Sequence, residues 1–314
     1  MTTCRALPGR WFLIMRLSVI RKFLSEVLTG IHPDREIEAF ARIIAEDLTG
    51  MSGVEVRLNQ DLALTPVQTA RLIEITERLK HSEPIQYILG ETEFYGLPFR
   101  VGPGVLIPRG ETEELVELII RDQKGQSPSE PACQGGTTIL DIGCGSGAIA
   151  IALARNLPDA QVLAVDVSGE ALTMTRDNAR LNQVPIQIFK WDVLNRGSSP
   201  IDPLTRQPFE LPALDVIVSN PPYIPLNERD IMDRLVTAHE PDTALFVPDA
   251  DPLIFYRQII RIANAHLRPE GCVYVEVHHP LALATKELFQ AHFGRVDLFS
   301  DIHGRNRMIR GTDG

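Results

Sequence analysis

The sequence predicts an α/β protein in which a small helical region precedes a mainly parallel sheet with helices on both faces. Two observations carry this prediction. From about residue 111, short apolar runs rich in β-branched residues alternate with amphipathic stretches, as in repeated β–α–β units. Residues 16–83 show helical spacing only. The length of 314 residues also exceeds that of a typical single domain.

The N-terminal region, residues 16–83, is predicted to form a small helical bundle. Apolar residues follow helical spacing over 16–28 and again over about 34–48. A third helix begins at Thr65-Pro66-Val67-Gln68, where the threonine can cap, the proline suits the first turn and the glutamine completes a capping box. No pattern here is typical of catalysis, so the region is expected to serve recognition or packing.

Residues 1–15 are interpreted as a possible upstream extension, with Met15 as the alternative start. The apolar run at 11–15 is interrupted by Arg16 and Arg21, whereas a signal peptide needs a longer apolar core and a small-residue cleavage site. No apolar run approaches the ~20 residues of a membrane span. The sequence therefore predicts no association with a membrane.

Charge and cysteine content narrow the class of protein. Lys and Arg number 31 and Asp and Glu number 41, giving a net charge of −10, which argues against broad binding of nucleic acid. The four cysteines show no C-x-x-C spacing, so neither a disulfide framework nor a metal site is predicted. Reduced thiols fit a cytoplasmic protein.

Residues 84–110 are interpreted as a connector with a β-hairpin, because glycines punctuate short alternating segments. Over 111–314 the pattern becomes regular, and a turn around Gly304 separates two final strands, which predicts an antiparallel end to the sheet. Strands are expected near 137–142, 161–166, 186–190, 214–219, 271–277, 295–299 and 306–310. Helices are expected over about 111–123, 147–156, 169–182, 252–267 and 280–291.

The residues between these elements also predict where helices begin and where loops lie. Asp251-Pro252 is expected to supply a cap and a first-turn proline for the helix that starts there. Gly271 is expected to close the turn after that helix. Residues 124–136 and 196–213 are rich in Pro, Gly, Ser and Gln and are expected to be surface loops.

The most informative motif is Asn220-Pro221-Pro222-Tyr223, which follows the apolar run 214–219. Such a run is typical of a buried parallel strand, and open α/β sheets bind ligands at the carboxyl ends of their strands. The prolines stiffen the loop. The Asn220 amide and the Pro221 carbonyl can accept two N–H bonds from a planar NH2 group, and the Tyr223 ring can stack on it. A turn that merely ends the strand is the alternative.

Residues 139–154, ILDIGCGSGAIAIALA, predict a strand, a glycine-rich turn and a helix. Glycines at 143, 145 and 147 let the backbone approach a ligand closely. Asp166 ends the next strand about 20 residues on, where a ribose needs a carboxylate acceptor. Dinucleotide dehydrogenases share this glycine pattern, so by itself it is weak evidence for any one cofactor.

Two acidic residues favour S-adenosylmethionine. Asp141 precedes the glycines, where a carboxylate suits an amino group or a sulfonium better than a pyrophosphate. Asp192, just after Trp191, can accept from an adenine amino group, although a loop-capping role stays open. Cys144 is interpreted as a small loop residue without a redox role. The predicted cofactor-binding residues are Asp141, Gly143, Cys144, Gly145, Ser146, Gly147, Asp166, Asp192 and Asn220.

With these residues assembled, the chain resembles the bacterial peptide chain release factor glutamine methyltransferase family. The resemblance also covers PIQYILGETEFYG (84–96), VLIPRGETEELVE (105–117), HEPDTAL (239–245) and DIHGRNR (301–307). The connector and the PRGETE segment are more specific than Asn-Pro-Pro-Tyr, which DNA adenine and guanine methyltransferases also carry.

The resemblance implies a fold: a class I S-adenosylmethionine-dependent methyltransferase domain at 111–314, seven-stranded and Rossmann-like with an antiparallel last strand. A hairpin at 84–110 would join it to a helical substrate-recognition domain at 16–83. It implies methyl transfer to the side-chain amide of the Gln in the Gly-Gly-Gln motif of class 1 release factors, which are the expected partners, with no direct nucleic-acid contact.

The resemblance also implies residue roles. Asn220, Pro221 and Tyr223 would be catalytic, and Pro222 would join them in binding the substrate. Three segments depart from the family pattern: Gly110 replaces a usual proline, LFVPDADPL (245–253) replaces a glycine-rich stretch, and EVHHPLA (276–282) differs from the usual Glu-Ile-Gly and Gln pattern. His278 and His279 are interpreted as loop histidines.

Four other functions fit parts of the sequence. A ribosomal-protein glutamine methyltransferase shares Asn-Pro-Pro-Tyr and much of the connector, and differs only in substrate. A nucleic-acid amino methyltransferase is expected to show a basic stripe with interleaved aromatics, against which the acidic balance and 6% aromatic content argue. A non-catalytic cofactor-binding protein gives no reason for Asn220 and Tyr223, and a nicotinamide dehydrogenase gives none for the whole motif.

Overall fold

The computed structural model describes residues 15–125, 136–231 and 239–313. The chain divides into two compact units, one up to Leu89 and one from Gly90. The predicted extension at 1–15 lies outside the described residues except for Met15, and so does most of the predicted loop at 124–136.

The described part of the first unit is helical and packs around an apolar core in which Leu24, Ile44 and Leu72 are fully buried. The three predicted helices are confirmed, and the expected capping box of Thr65 and Gln68 starts one of them. Two further helices are too short to show a periodic pattern in the sequence. The helices are α1 (Leu17–Leu28), α2 (Asp34–Thr49), α3 (Gly53–Leu58), α4 (Pro66–Lys80) and α5 (Ile85–Leu89).

The hairpin expected in the connector is present at the start of the second unit. Strands β1 (Glu91–Phe94) and β2 (Leu97–Arg100) pair antiparallel. The two residues between them, Tyr95 and Gly96, have φ of 52° and 70°, which is the left-handed geometry that two-residue hairpin turns require.

The second unit is built on the predicted seven-stranded sheet, with strand order β10-β11-β9-β6-β3-β4-β5. Strand β11 runs antiparallel to both of its neighbours, and the other pairs are parallel. Two-residue strands β7 (Ile224–Pro225) and β8 (Phe246–Val247) pair separately. The sheet strands are β3 (Thr138–Ile142), β4 (Gln161–Asp166), β5 (Gln187–Lys190), β6 (Leu214–Ser219), β9 (Leu267–Glu276), β10 (Arg295–Ser300) and β11 (Asn306–Thr312).

The helices of this unit cover both faces of the sheet. Successive residues of β3 point to opposite faces: Ile139 packs in the apolar cluster with α6, α7 and α8, and Leu140 packs in the cluster with α10 and α11. The described helices are α6 (Gly110–Gln123), α7 (Ala148–Asn156), α8 (Gly169–Leu181), α9 (Asp242–Leu245), α10 (Ile254–His266) and α11 (Ala282–Gln290).

Two predicted boundaries are wrong. Helix α10 begins at Ile254, after a turn at Asp251 and Pro252, so its N-cap is Leu253 and not Asp251. Strand β9 begins directly after α10, and the predicted turn at Gly271 is instead a register shift within that strand. A side chain on Gly271 would place Cβ 2.7 Å from Leu267 Cγ, so the shift requires glycine.

This topology brings the carboxyl ends of β3, β4, β5, β6 and β9 to one edge of the sheet, because these strands are parallel. The glycine-rich turn follows β3, Asp166 ends β4, and Asn-Pro-Pro-Tyr follows β6. Across the described ranges, no helix has the length and apolar character needed to cross a lipid bilayer.

Candidate active site

A cavity of about 340 Å³ opens at this edge of the sheet. Its volume lies in the range typical of small-molecule sites. Apolar side chains such as Val165, Trp191 and Phe255 form part of its wall. Seven of the residues predicted from the sequence line it, namely Gly143, Gly145, Asp166, Asp192, Asn220, Pro221 and Pro222.

The glycine-rich turn after β3 is held by its neighbours. Gly147 has φ of 83°, and a Cβ there would lie 2.9 Å from the Thr175 side chain, so a larger residue cannot be accommodated. The Cys144 thiol is 3.4 Å from the Thr175 hydroxyl, and burial raises its pKa well above the usual value. The Ser146 carbonyl accepts from Asn178 Nδ2 at 2.9 Å. These three predicted residues shape the turn rather than the cavity wall.

Asp141 is a fully buried carboxylic acid at the end of β3. Oδ2 accepts from the Ala150 N–H at 3.2 Å, whereas Oδ1 has no hydrogen-bond partner. Burial, opposed by the Ala150 bond and reinforced by the charge of Asp166, raises the pKa of Asp141 to about 7. The side chain does not itself line the cavity, but the next two residues, Ile142 and Gly143, do.

The two other acidic residues also have structural roles. Asp166 accepts from the Gly145 N–H and the Ser168 N–H, both at 2.9 Å, and so fixes the glycine turn while it lines the cavity. Burial raises its pKa, against those hydrogen bonds. Asp192 accepts from the Leu194 N–H at 3.1 Å, so it caps its own loop and still faces the cavity. The loop-capping role of Asp192 is therefore present, and acceptance from an adenine amino group stays a prediction.

The residues after β6 divide between the cavity and the interior. The Ser219 hydroxyl donates to the Ile142 carbonyl at 2.7 Å, which ties the end of β6 to β3. Asn220 Nδ2 donates to the Thr112 hydroxyl oxygen at 3.1 Å. The Tyr223 hydroxyl donates to Glu276 at 3.1 Å, and Tyr223 is not among the residues that line the cavity.

Three residues near the motif had no assigned role in the sequence analysis. Thr112, in the first turn of α6, and Glu276, the last residue of β9, contact the motif directly or through each other. His278 lies in a loop, as expected, but stacks on Tyr223. The sequence could have indicated Glu276, because β9 is predicted to end at the same sheet edge as the motif. For Thr112 the sequence offered only its place in the PRGETE segment.

An ion pair joins two segments that resemble the family pattern. Arg109 Nη2 lies 2.6 Å from Glu240 Oε2, and Glu240 is almost fully buried. Burial raises the pKa of Glu240 and the adjacent guanidinium opposes that shift. The residues just after Glu240, including Pro241 and Thr243, line the cavity. The pair therefore holds one wall of the cavity against the segment that leads into α6.

The departure at Gly110 has little local consequence. Gly110 is the first residue of α6, a position that suits proline as well. A Cβ at Gly110 would meet nothing within 4 Å. The helix therefore starts at the same place with either residue.

The chemistry of this site fits S-adenosylmethionine. The unpaired, buried oxygen of Asp141 is an acceptor without a donor, and a cationic ligand group would satisfy it. Asp166 lines the cavity with a carboxylate that suits a ribose diol, and the apolar wall beside Trp191 suits a flat ring. No cluster of three potential metal-binding side chains occurs in the described part of the chain.

Comparison with known proteins agrees with this geometry. Residues 131–240 match the family model of a methyltransferase small domain, and residues 20–90 match that of a PrmC N-terminal domain. The hMettl16 catalytic domain, in complex with the MAT2A 3'UTR hairpin 1, shares the fold with a TM-score of 0.50 at 17% identity, over 82% of this chain and 85% of that one.

Close relatives are known by sequence. The release factor glutamine methyltransferase of Flavobacterium psychrophilum is 42% identical over 91% of this chain and 95% of its own length. That of Bacteroides thetaiotaomicron is 37% identical over 92% and 98%. The chain is thus a methyltransferase that uses S-adenosylmethionine, and it belongs to the release factor glutamine methyltransferase family.

Proposed function

We propose that the protein transfers a methyl group from S-adenosylmethionine to the side-chain amide nitrogen of the Gln in the Gly-Gly-Gln motif of class 1 peptide chain release factors. One observation carries the proposal beyond family membership. Asn220, Pro221 and Pro222 line the same cavity as Gly143 and Asp166. A substrate amide gripped by the first three residues would therefore lie beside a cofactor held by the other two.

The reaction is difficult because the lone pair of an amide nitrogen is delocalised into its carbonyl. S-adenosylmethionine supplies an electrophilic methyl group on a sulfonium. The Asn220 side-chain oxygen and the Pro221 carbonyl accept the two N–H bonds of the substrate and aim its nitrogen at that carbon. Tyr223 stacks on the amide plane. Such positioning can lower a barrier by several kcal/mol.

Proton balance needs no strong base before the attack. The C–N bond forms as the sulfur–carbon bond breaks, and the sulfur keeps the electron pair. The alkylated nitrogen is briefly cationic and acidic, so it releases one proton. Asn220 and Pro221 accept its two N–H bonds, and the released proton passes to solvent water, because neutral carbonyl oxygens are too weakly basic to keep it. The product is a secondary amide.

The first unit has a separate task in this proposal. A single Gln has to be chosen among many proteins, and a small pocket cannot do this alone. Residues 16–83 dock the release factor and add specificity. The net charge of −10 suits a protein substrate better than direct contact with nucleic acid. The protein acts in the cytoplasm, where peptide chains are released.

The test is methyl transfer from labelled S-adenosylmethionine to purified release factor. A release factor with Gly-Gly-Gln changed to Gly-Gly-Ala serves as the matched control. Label on the first and none on the second supports the proposal. No label on either, with cofactor still bound, contradicts it and directs the search to a ribosomal protein. A chain that lacks residues 16–83 should bind cofactor and fail to methylate; full activity would contradict the docking role.

A further inference from the structure

Three chain segments meet at the carboxylate of Glu276, which is only 2% exposed. The Thr112 hydroxyl donates to Oε2 at 2.6 Å, and the Tyr223 hydroxyl donates to Oε1 at 3.1 Å. Thr112 is itself buried and accepts from Asn220 Nδ2 at 3.1 Å. Glu276 thus contacts Tyr223 directly and Asn220 through Thr112, and these are the two polar side chains of the Asn-Pro-Pro-Tyr motif.

Asn220, Thr112 and Glu276 form a hydrogen-bonded series, and the number of protons on each group decides which atom donates. Burial raises the pKa of Glu276, and the hydrogen bonds from Thr112 and Tyr223 oppose that shift because they favour the ionised form. In that form the carboxylate has no proton, so Glu276 only accepts. A hydroxyl has one proton, and Thr112 donates it to Glu276. The Thr112 oxygen then retains only lone pairs, and its other neighbour has to be a donor. Asn220 therefore places its NH2 against Thr112, and its carbonyl oxygen turns away from Thr112.

This direction matters because the two ends of an asparagine amide have almost the same shape. Only the oxygen can accept an N–H from a substrate amide. If the group turned over, Asn220 would present its own NH2 to the substrate NH2, and two donors would face each other. Stacking, charge and cavity shape do not distinguish the two orientations, whereas the contact with Thr112 does.

We propose that Thr112 and Glu276 are positioning residues for methyl transfer, which hold the Asn220 amide with its oxygen available to the substrate. Glu276 also holds the Tyr223 hydroxyl. The inference rests on the proposed function for its kinetic consequence. The orientation of the Asn220 amide, on which the inference depends, can be measured without any substrate.

The kinetic test compares Thr112→Val, which keeps the shape but removes the hydroxyl, with Thr112→Ser, which keeps the hydroxyl. In Thr112→Val, kcat for the release factor should fall by about a hundredfold, as expected for loss of alignment. Its Kd for S-adenosylmethionine should stay within about twofold, and Thr112→Ser should retain kcat within about threefold. Thr173→Val, at an exposed threonine in α8, is the control and should be unchanged.

A double-mutant cycle tests whether Thr112 acts through Asn220. If it does, adding Thr112→Val to Asn220→Ala should cost no further activity, because the residue that Thr112 positions is already gone. Independent losses that multiply would overturn the inference. So would a Thr112→Val enzyme with wild-type kcat, or a Thr112→Ser enzyme as slow as Thr112→Val.

A spectroscopic measurement separates this inference from the proposed function. In protein labelled with ¹⁵N-asparagine, the side-chain NH2 signals of Asn220 are those missing from Asn220→Ala. They should shift in Thr112→Val and stay in place in Thr112→Ser. Unchanged signals in Thr112→Val would overturn the inference even if the wild-type protein methylates release factor. If Thr112→Val does not fold, Thr112→Ala gives the same comparison.

Discussion

The Tyr223 ring and the His278 imidazole lie nearly parallel, with centroids 5.7 Å apart and 11° between their planes. His278 Nε2 is also 2.9 Å from a carboxylate oxygen of Glu228, which holds the imidazole in place. One face of the Tyr223 ring is therefore partly covered by His278. The histidine therefore supports the ring that is proposed to stack on the substrate amide.

Replacing His278 by alanine should lower turnover by about three- to tenfold, since an aromatic pair contributes about 0.5–1.5 kcal/mol. Affinity for S-adenosylmethionine should not change. Steady-state methylation of release factor and calorimetric titration of the cofactor measure these two quantities. His279→Ala is the matched control because His279 is the adjacent residue and is exposed. Equal effects of the two variants would rule out a role for the ring contact.

Asn220→Ala should remove most turnover, about a hundredfold or more, because the substrate amide loses an oriented acceptor. Cofactor affinity should stay within a few-fold, since Gly143 and Asp166 still line the cavity. Asn227→Ala, an exposed asparagine seven positions later, serves as control. Initial rates and cofactor titration on the same preparations provide the comparison. An Asn220→Ala enzyme of full rate would disprove the catalytic role.

Cofactor affinity should depend on pH through Asp141, whose pKa burial raises to about 7. Below that pH the acid is protonated and neutral, and above it the carboxylate attracts a cationic ligand. The affinity for the cofactor should therefore fall as pH falls, by up to about tenfold per pH unit. Titration between about pH 5.5 and 7.0 tests this while an α-amino group, with a pKa of about 7.7–8.0, keeps most of its charge.

The variant that checks this assignment is Asp141→Asn, which keeps the shape and cannot ionise. Its affinity should be low and nearly independent of pH over the same interval. Asp166, whose charge contributes to the raised pKa of Asp141, is unchanged in this variant. A variant with the same pH profile as the wild-type protein would assign the dependence to another group.

Stability should depend strongly on a buried ionic cluster. Asp122 accepts from Arg310 Nη1 at 2.9 Å and from the Tyr274 hydroxyl at 2.8 Å, and all three side chains are buried. Asp122→Ala removes one partner of a buried charge and should lower the free energy of unfolding by about 3 kcal/mol.

Denaturant unfolding measures this loss. The matched control is Asp177→Ala, because Asp177 forms an ion pair with Arg180 that is largely exposed to solvent. Loss of that pair should cost less than about 1 kcal/mol. Comparable losses in the two variants would contradict the importance of the buried cluster.

Local patterns in the sequence predicted most of the fold. Short apolar runs rich in β-branched residues located all seven sheet strands, and helical spacing located the longer helices, because each pattern indicates which side chains are buried. The misplaced start of α10 at Ile254 has a physical reason. Asp251-Pro252 carries the chemistry of a helix start, but these residues form a turn two positions earlier.

The parts of the site that are contiguous in the chain were also determined by the sequence. The residues from Gly143 to Gly147 and from Asn220 to Tyr223 carry their chemistry within a few positions, and the strands before them set where they lie. Pairing between distant residues was decided only by the tertiary structure. Thr112 and Glu276 are 164 positions apart, and Asn220 and Thr112 are 108 apart. They meet because parallel strands β6 and β9 end at the same sheet edge as the start of α6, and sheet register is a property that no local pattern contains.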